Sequence, residues 1–342
     1  MEISVDEIEK VFQDFLSAPV TEKVAKRIQK RLGRKLLPFD IWYDGFKTRS
    51  KIPEKKLDEI VGKKFKTLES FQKELKQILL KLGFKNEKAK YIADRIVVDP
   101  SRGAGHAWGP EMRSGKARLR TRFTKTGMDY KGYNIAIHEM GHNVEQVLSL
   151  YDVDYYMLRG VPNNAFTEAL AFIFQAKDME LLGMEDKNEE QKKLSVLDHF
   201  WSTREIMGVA LVDIRVWKWI YNNPNATGEE FKKAVIDIAK DVWNKYYAKN
   251  FGIKDEPILA IYSHMIAYPL YLSYYPLGHL IQFQIEEKLN HKNFASQIQR
   301  IFSYGNVIPE VWMNHAVDNS LSGEPMLKAV RNVFKKKKRK QA

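Results

Sequence analysis

The sequence contains no cysteine. This absence excludes disulfide scaffolds, thiol nucleophiles and cysteine-ligated zinc, so a bound metal would have to use histidine, carboxylate or water ligands. The first thirty residues carry acidic side chains and no long apolar run, so they match neither a secretory signal nor a transit peptide. On these grounds we expect a cytoplasmic protein.

Basic residues exceed acidic ones, but the excess is concentrated at one end of the chain. The 342 residues include 56 Lys and Arg against 43 Asp and Glu, a formal net charge of +13. Six of these positive charges lie in Lys335–Lys340, which leaves +7 on the rest. A basic run at a terminus is more typical of a solvated end than of a nucleic-acid site. We expect 335–342 to be a disordered basic tail, and we do not expect nucleic acid as the main partner.

The segment 257–285 has no charged residue over 29 positions, which is long enough to cross a membrane. It also contains three prolines, two histidines and five tyrosines. These residues are poorly suited to a lipid-facing helix. We therefore expect a buried, polar-lined wall of a cleft and no membrane contact.

Apolar residues recur at spacings of three and four over 5–33, 54–82 and 86–97, and again after Tyr133, which predicts amphipathic helices. Alternation over Ala117–Phe123 predicts a strand whose arginines face outward. The predicted fold is mainly α with a small antiparallel sheet. The predicted boundaries are 1–334 for one domain, divided into a helical N-terminal part at 1–98, the sheet at 99–127 and a helical metal-binding part at 128–334.

The segment 135–148 predicts a helix that carries His138 and His142 four residues apart. On a helix this spacing places both rings on one face, close enough to share one ion. Glu139 would lie beside the ion, where its carboxylate could take the proton of a zinc-bound water whose pKa the metal lowers to about 7. Gly141 costs about 1 kcal/mol in mid-helix relative to alanine, which predicts that another backbone passes close to it.

The third metal ligand is predicted to be a carboxylate. A pattern with glycine three and histidine six residues after His142 is absent, since Glu145 stands at the first of these positions. A helix beginning at 163 or 164 places Glu168 among apolar neighbours, where a carboxylate is costly unless it is paired. Glu145 shares a face with both histidines, but three ligands from one straight helix would bind an ion awkwardly. We therefore choose Glu168 and expect Glu145 to support a ligand or to face solvent.

The run 105–172 resembles the gluzincin zinc metallopeptidases of the angiotensin-converting enzyme and thimet oligopeptidase (neurolysin-like) group. The shared elements are His-Glu-Met-Gly-His at 138–142, Leu-Arg-Gly-x-Pro-Asn at 158–163 and Phe-x-Glu-Ala at 166–169. The resemblance implies a zincin-like helical catalytic domain whose small sheet lies beside the active-site cleft. It also implies one Zn²⁺ per chain and oligopeptidase or endopeptidase activity on short, unstructured peptides.

The same resemblance suggests residues that bind the substrate. His106 and Ala107 are similar to a segment whose extended backbone binds peptides by strand addition. Tyr275 takes the place of the tyrosine that stabilises the oxyanion, and His264 takes the place of a substrate-binding histidine. The alternatives for that tyrosine are Tyr271 and Tyr274.

Two positions depart from the family pattern. Tyr262 stands where the family has a lysine that anchors the substrate carboxylate, which puts removal of C-terminal dipeptides in question. Phe172 replaces an acidic residue that supports a metal ligand, so this support must come from elsewhere. The alternative function is a non-catalytic protein on a peptidase fold that binds peptides or nucleic acid.

Overall fold

The computed structural model describes residues 2–47, 51–184 and 188–335. In chain order its helices are α1 (Val5–Leu16), α2 (Thr21–Leu32), α3 (Glu54–Lys64), α4 (Leu68–Lys81), α5 (Asn86–Ala93), α6 (Tyr130–Tyr151), α7 (Asn164–Gln175), α8 (Asp178–Leu181), α9 (Glu189–Asn222), α10 (Gly228–Tyr246), α11 (Ala248–Phe251), α12 (His264–Ala267), α13 (Tyr274–Glu286), α14 (Phe294–Phe302), α15 (Pro309–Val317) and α16 (Glu324–Val333). The strands are β1 (Ile96–Ser101), β2 (His106–Trp108) and β3 (Ala117–Arg122). The predicted mainly α fold is confirmed.

The described residues form two compact units. Unit 1 comprises the described residues of Met1–Glu2, Thr48–Asp186 and Ile281–Leu321. Unit 2 comprises those of Ile3–Lys47, Lys187–Leu280 and Ser322–Ala342. A single domain over 1–334 stays a prediction. The predicted tail 335–342 lies, from residue 336 onward, outside the described residues.

The sheet belongs to unit 1 and is mixed. β1 pairs in parallel with β3, with Ile96 opposite Ala117, whereas β2 pairs antiparallel with β3, with Ala107 opposite Leu119. The strand order is β1-β3-β2, so β3 inserts between two strands that precede it in the chain. Because the chain reverses direction twice between β1 and β3, these two strands run the same way. The purely antiparallel sheet that we predicted is therefore wrong in one of its two pairings.

The strand over Ala117–Arg122 has the face pattern that its alternation predicts. Leu119 and Thr121 are buried, whereas Arg118 and Arg120 are exposed. The arginines thus form the outward face of the strand, and Arg118 pairs there with Asp99 at 2.7 Å.

Most helices occupy the predicted ranges, but several predicted ranges are divided or shortened. The range 5–33 contains α1 and α2, which are separated around Pro19 because a helix interior does not tolerate proline. The range 86–97 ends as a helix at Ala93, since β1 begins at Ile96. Helix starts were predicted more closely, because N-cap side chains mark them. Asn163 caps α7 by accepting from the Ala165 amide.

The uncharged segment 257–285 is buried mainly in its second half. All residues from Leu272 to Ile285 are buried or half-buried, whereas before them Leu259 and Met265 are buried but Ile261 is 65% exposed and Ile266 is 72% exposed. The expectation of a buried wall is therefore wrong for part of 257–269, where two short helical turns leave some apolar side chains in solvent. Within the described residues no helix is long and apolar enough to cross a membrane.

Candidate metal centre

The two histidines are presented by α6, the central helix of unit 1. Asp129 caps the helix by accepting from the Gly132 amide at 2.7 Å. Thr121 of β3 donates its hydroxyl to the Gly132 carbonyl at 2.8 Å, which ties the start of α6 to the sheet. His138 and His142 lie one turn apart on α6, with their ring centroids 4.9 Å apart. The spacing predicted from the sequence thus places both rings on one face.

Gly141 determines how closely the next helix approaches α6. A β-carbon at this position would lie 2.6 Å from the Cα of Ala171 and 2.9 Å from the Leu170 carbonyl oxygen. Real β-carbons essentially never come so close to backbone atoms. The close backbone that we predicted from Gly141 is therefore confirmed, and it is the backbone of α7, which carries Glu168.

His138, His142 and Glu168 converge. The Glu168 Oε2 atom lies 3.6 Å from Nε2 of His138 and 3.7 Å from Nε2 of His142. One ligand atom from each residue lies within 4.8 Å of the others. Ligands at about 2.1 Å from a tetrahedral ion lie about 3.4 Å apart, so the spacing suits one ion. In the described residues this is the one group of three or more such side chains that could hold a metal.

His142 is oriented by a short hydrogen-bonded chain. The Thr167 hydroxyl donates to Glu145 Oε2 at 2.8 Å and lies 3.0 Å from His142 Nδ1. Because the single proton of the hydroxyl is used on Glu145, Thr167 can only accept from the imidazole, which fixes the proton of His142 on Nδ1. The Nε2 lone pair is then directed at Glu168. Glu145 is therefore linked to His142 through Thr167, and its support of a metal ligand stays a prediction.

His138 is oriented by Gln175, which the sequence did not reveal. The Gln175 Oε1 atom lies 3.1 Å from His138 Nδ1, and its amide nitrogen donates to Asn134 Oδ1 at 2.8 Å. The Asn134 amide in turn donates to Asp178 at 2.6 Å. The Phe172 ring packs against His138 with 5.3 Å between centroids, and the side chain that contacts His138 Nδ1 is that of Gln175. Its spacing of seven residues from Glu168 places both on the same face of α7, but this spacing does not indicate which residue of another helix Gln175 contacts.

Burial controls the charge of this cluster. Burial lowers the pKa of His138 to about 4 and holds the pKa of His142 well below its usual value, with a further contribution from the nearby His138. Both imidazoles are therefore neutral at pH 7, which is the form that binds a metal. Burial also raises the pKa of Glu139 to about 8, and the neighbouring Glu168 charge adds to this effect.

The segment that leads into β2 lies against Glu139. A β-carbon on Gly105 would lie 2.9 Å from the Glu139 Oε1 atom and 3.0 Å from the Arg120 carbonyl oxygen, so a larger residue would have to shift the carboxylate or the strand. His106 follows and is exposed, stacked on Trp108 with 5.6 Å between the ring centroids. Ala107 pairs with Leu119 of β3. The strand order leaves β2 at an edge of the sheet. Glu139, His106 and Ala107 all belong to unit 1.

The predicted histidine and tyrosines of the second half form a ring cluster in unit 2. The His264 and Tyr275 centroids are 6.3 Å apart, and the Tyr271 ring lies 5.3 Å from Tyr274 and 5.5 Å from Tyr275. The structure thus groups these four residues with one another. Their roles toward a substrate stay predictions.

No family model and no curated protein matches the sequence. Solved structures do match it. A crystal structure assigned to an oligoendopeptidase F from Bacillus anthracis str. Ames aligns with 97% of this chain at 15% identity and a TM-score of 0.63. PZ peptidase A aligns with 97% at 15% identity and a TM-score of 0.60, and metallocarboxypeptidase 1 of Trypanosoma cruzi with 98% at 12% and 0.58. The chain has the fold of the helical zincin-like peptidases.

This peptidase fold confirms the fold that the resemblance over 105–172 implied. The chain covers 56% of the oligoendopeptidase F structure, 58% of PZ peptidase A and 67% of the metallocarboxypeptidase. It thus spans little more than half the length of the first two structures. At 12–15% identity the likeness concerns the peptidase fold, and activity has to be argued from the residues of the site.

Proposed function

We propose that this chain is a zinc-dependent peptidase that hydrolyses peptide bonds in short, unstructured peptides. The convergence of His138, His142 and Glu168, with Glu139 one residue from the first ligand, carries this proposal. The set of two neutral histidines, one carboxylate and an adjacent free-standing carboxylate is what metal-assisted hydrolysis requires. The fold likeness to peptidases supports it.

The donor set fits Zn²⁺, one ion per chain. Two imidazole nitrogens and one carboxylate oxygen are ligands that zinc accepts, and both histidines have their Nδ1 atoms occupied by Thr167 and Gln175. When bound, the metal supplies Lewis acidity at the scissile carbonyl. The number of zinc ions bound per chain can be measured by mass spectrometry of the purified protein. Glu168→Gln and His142→Ala should each reduce this number below one.

Glu139 is proposed as the general base. It takes a proton from the attacking water and passes it to the leaving amine, so no covalent intermediate with the enzyme is formed. The Gly105 backbone closes one side of this carboxylate. A side chain in a low-dielectric position of this kind accepts and returns a proton more readily than a fully solvated one.

The substrate is proposed to lie along β2. An edge strand offers unpaired amides and carbonyls to an extended peptide, and the strand begins next to Glu139. His106 and Ala107 would then contact the substrate backbone. Folded proteins offer no free extended segment, which favours unstructured peptides as substrates.

Tyr275 is proposed as the donor to the oxyanion, with His264 as a substrate-binding residue and Tyr271 or Tyr274 as alternatives to Tyr275. A phenol and an imidazole are suitable donors for the charge that develops on the former carbonyl oxygen. Removing one such donor typically costs about 10²–10³ in kcat. Tyrosine-to-phenylalanine changes at the three positions would identify the residue, because only one of them should show a loss of this size.

The deciding experiment is mass spectrometry of an unstructured peptide library after incubation with the full chain in zinc-containing buffer. The control is Glu139→Gln, which should keep zinc and lose the base. Internal cuts made only by the wild type support an oligopeptidase. Losses of two residues from the carboxyl end would support dipeptide removal and contradict our interpretation of Tyr262. Absence of any cleavage by a zinc-loaded chain overturns the proposal in favour of a peptide-binding protein.

A further inference from the structure

Unit 2 contains a buried carboxylate that the proposed reaction does not use. Glu205 lies in the middle of α9 and is only 8% exposed. Its Oε1 atom accepts a hydrogen bond from Tyr262 at 2.9 Å and another from Trp42 at 3.1 Å. Three separate elements, α9 and the segments that carry Trp42 and Tyr262, therefore meet at one carboxylate oxygen.

The carboxylate has no cation beside it. Among the described residues, no Lys, Arg or His nitrogen pairs with Glu205, and its Oε2 atom accepts no hydrogen bond. The neighbouring Arg204 is directed elsewhere, because it donates to the Tyr246 carbonyl and lies 4.0 Å over the Tyr247 ring. Burying a carboxylate without a positive partner is costly. Burial accordingly raises the pKa of Glu205 to about 7.

The surroundings of Glu205 are held in place and are open to solvent on one side. Trp201 of α9 donates to the Asp40 carbonyl at 2.9 Å, and Arg34 pairs with the Asp40 carboxylate at 2.6 Å. These bonds fix the turn that ends at Trp42. Trp42 is 40% exposed and its indole N–H donates to Glu205, so a partly exposed ring lies directly beside a carboxylate whose residue is 8% exposed.

We propose that Glu205, Trp42 and Tyr262 form a binding site for an alkylammonium group of a peptide. The ammonium would donate to Glu205 Oε2 while Tyr262 and Trp42 continue to occupy Oε1. Charge-assisted hydrogen bonding and contact with an indole ring both favour a cation over a neutral group of the same length. That the group belongs to a peptide rests on the proposed function, whereas binding of the ammonium does not.

The ammonium could come from a lysine side chain or from a peptide amino terminus. Titration calorimetry on the full chain separates these sources with three small probes. Nα-acetyl-lysine methylamide carries only the side-chain charge, glycine methylamide carries only the α-ammonium, and Nα-acetyl-norleucine methylamide is neutral. We expect at least one charged probe to bind the wild type at least tenfold more tightly than the norleucine probe, and the tighter charged probe identifies the source.

The matched variant is Glu205→Gln, which keeps an acceptor for Tyr262 and Trp42 but removes the charge. It should abolish the tenfold preference and leave binding of the norleucine probe unchanged. Tyr262→Phe keeps the charge and should keep the preference. Trp42→Leu is the second variant if Glu205→Gln folds poorly, and it should weaken binding of the charged probe severalfold, so unchanged binding would contradict the inference.

Equal binding of all three probes to the wild type, no detectable binding of any, or a preference that survives in a folded Glu205→Gln chain would each overturn the inference. The measurement requires no hydrolysis, so its outcome is separate from that of the library experiment. A chain that cleaves peptides but shows no ammonium preference keeps the proposed function and loses only this site. A chain that binds the ammonium without cleaving loses the proposed function and keeps the site.

Discussion

Gly141 of α6 lies directly against Ala171 of α7, so close that a β-carbon at 141 would come within 2.6 Å of the Ala171 Cα. A backbone atom cannot move aside as the end of a side chain can. Changing Gly141 to alanine should therefore push α7 away from α6 and carry Glu168 with it. The gain of about 1 kcal/mol in helix propensity does not exceed the roughly 1–3 kcal/mol that overpacking typically costs.

We expect Gly141→Ala to lower both the melting temperature and the affinity for zinc, measured by circular dichroism and by competition with a chelator. Gly228→Ala is the matched control, because Gly228 begins α10 and a β-carbon there would meet nothing within 4 Å. Equal behaviour of the two variants would contradict the close packing of α6 on α7.

Gln175 should set the affinity of the metal centre through His138. Gln175→Leu removes the acceptor of the His138 Nδ1 proton and leaves the Asn134 side chain with one partner fewer. Loss of such a supporting residue typically costs 10- to 100-fold in metal affinity. We expect this loss for Gln175→Leu in chelator competition, with Gln175→Glu close to the wild type because it restores an acceptor. An unchanged affinity in Gln175→Leu would show that His138 needs no such support.

The convergence of the three candidate metal ligands could be predicted from the sequence because each has a local signal. His138 and His142 stand four residues apart in an apolar helix, and Glu168 is an acid among apolar neighbours just after an Asn cap. Helix periodicity alone predicts which of these residues lie on the same face of a helix. Gly141 predicted in addition that another backbone lies close to this helix, but not which one.

The supporting residues could not be predicted, because their partners depend on the register between α6 and α7. Thr167 and Gln175 are ordinary helix residues until packing places them opposite a histidine. The parallel pairing of β1 with β3 was missed for a similar reason, since strand order is decided by long-range packing and alternation predicts only the strand itself. The exposure of Ile261 and Ile266 was missed because the absence of charged residues was taken as a sign of burial.

Gly105 should control catalysis more than stability. A β-carbon there would lie 2.2 Å from an Ile135 methyl carbon and 2.9 Å from the Glu139 carboxylate, so Gly105→Ala must shift the Ile135 side chain, the Glu139 carboxylate or the start of β2. A displacement of about 1 Å at a reacting group can cost about 10²-fold. We expect a fall of this size in kcat on a peptide substrate with zinc content unchanged. Gly103→Ala, where nothing lies within 4 Å of the added carbon, should retain wild-type kcat, and a similar loss in both variants would contradict the assignment.

Glu205 should make the free energy of unfolding depend on pH. Its pKa is about 7 in the folded chain against an ordinary value of 4.5, so between these values the folded state keeps a proton that the unfolded state has lost. The free energy of unfolding therefore falls as pH rises from about 4.5 to about 7, by about 3 kcal/mol for this group. Glu205→Gln removes the titration, so the variant should gain stability relative to the wild type across this window. Urea unfolding gives the free energy of unfolding of both proteins at pH 5 and pH 8. The difference between the two proteins is compared at the two pH values, because the contributions of all other titrating groups cancel in it. Glu229→Gln, a change at an exposed residue, serves as control and should show no change of this size. If the difference in free energy of unfolding between Glu205→Gln and the wild type stays constant with pH, Glu205 remains ionised in the folded protein.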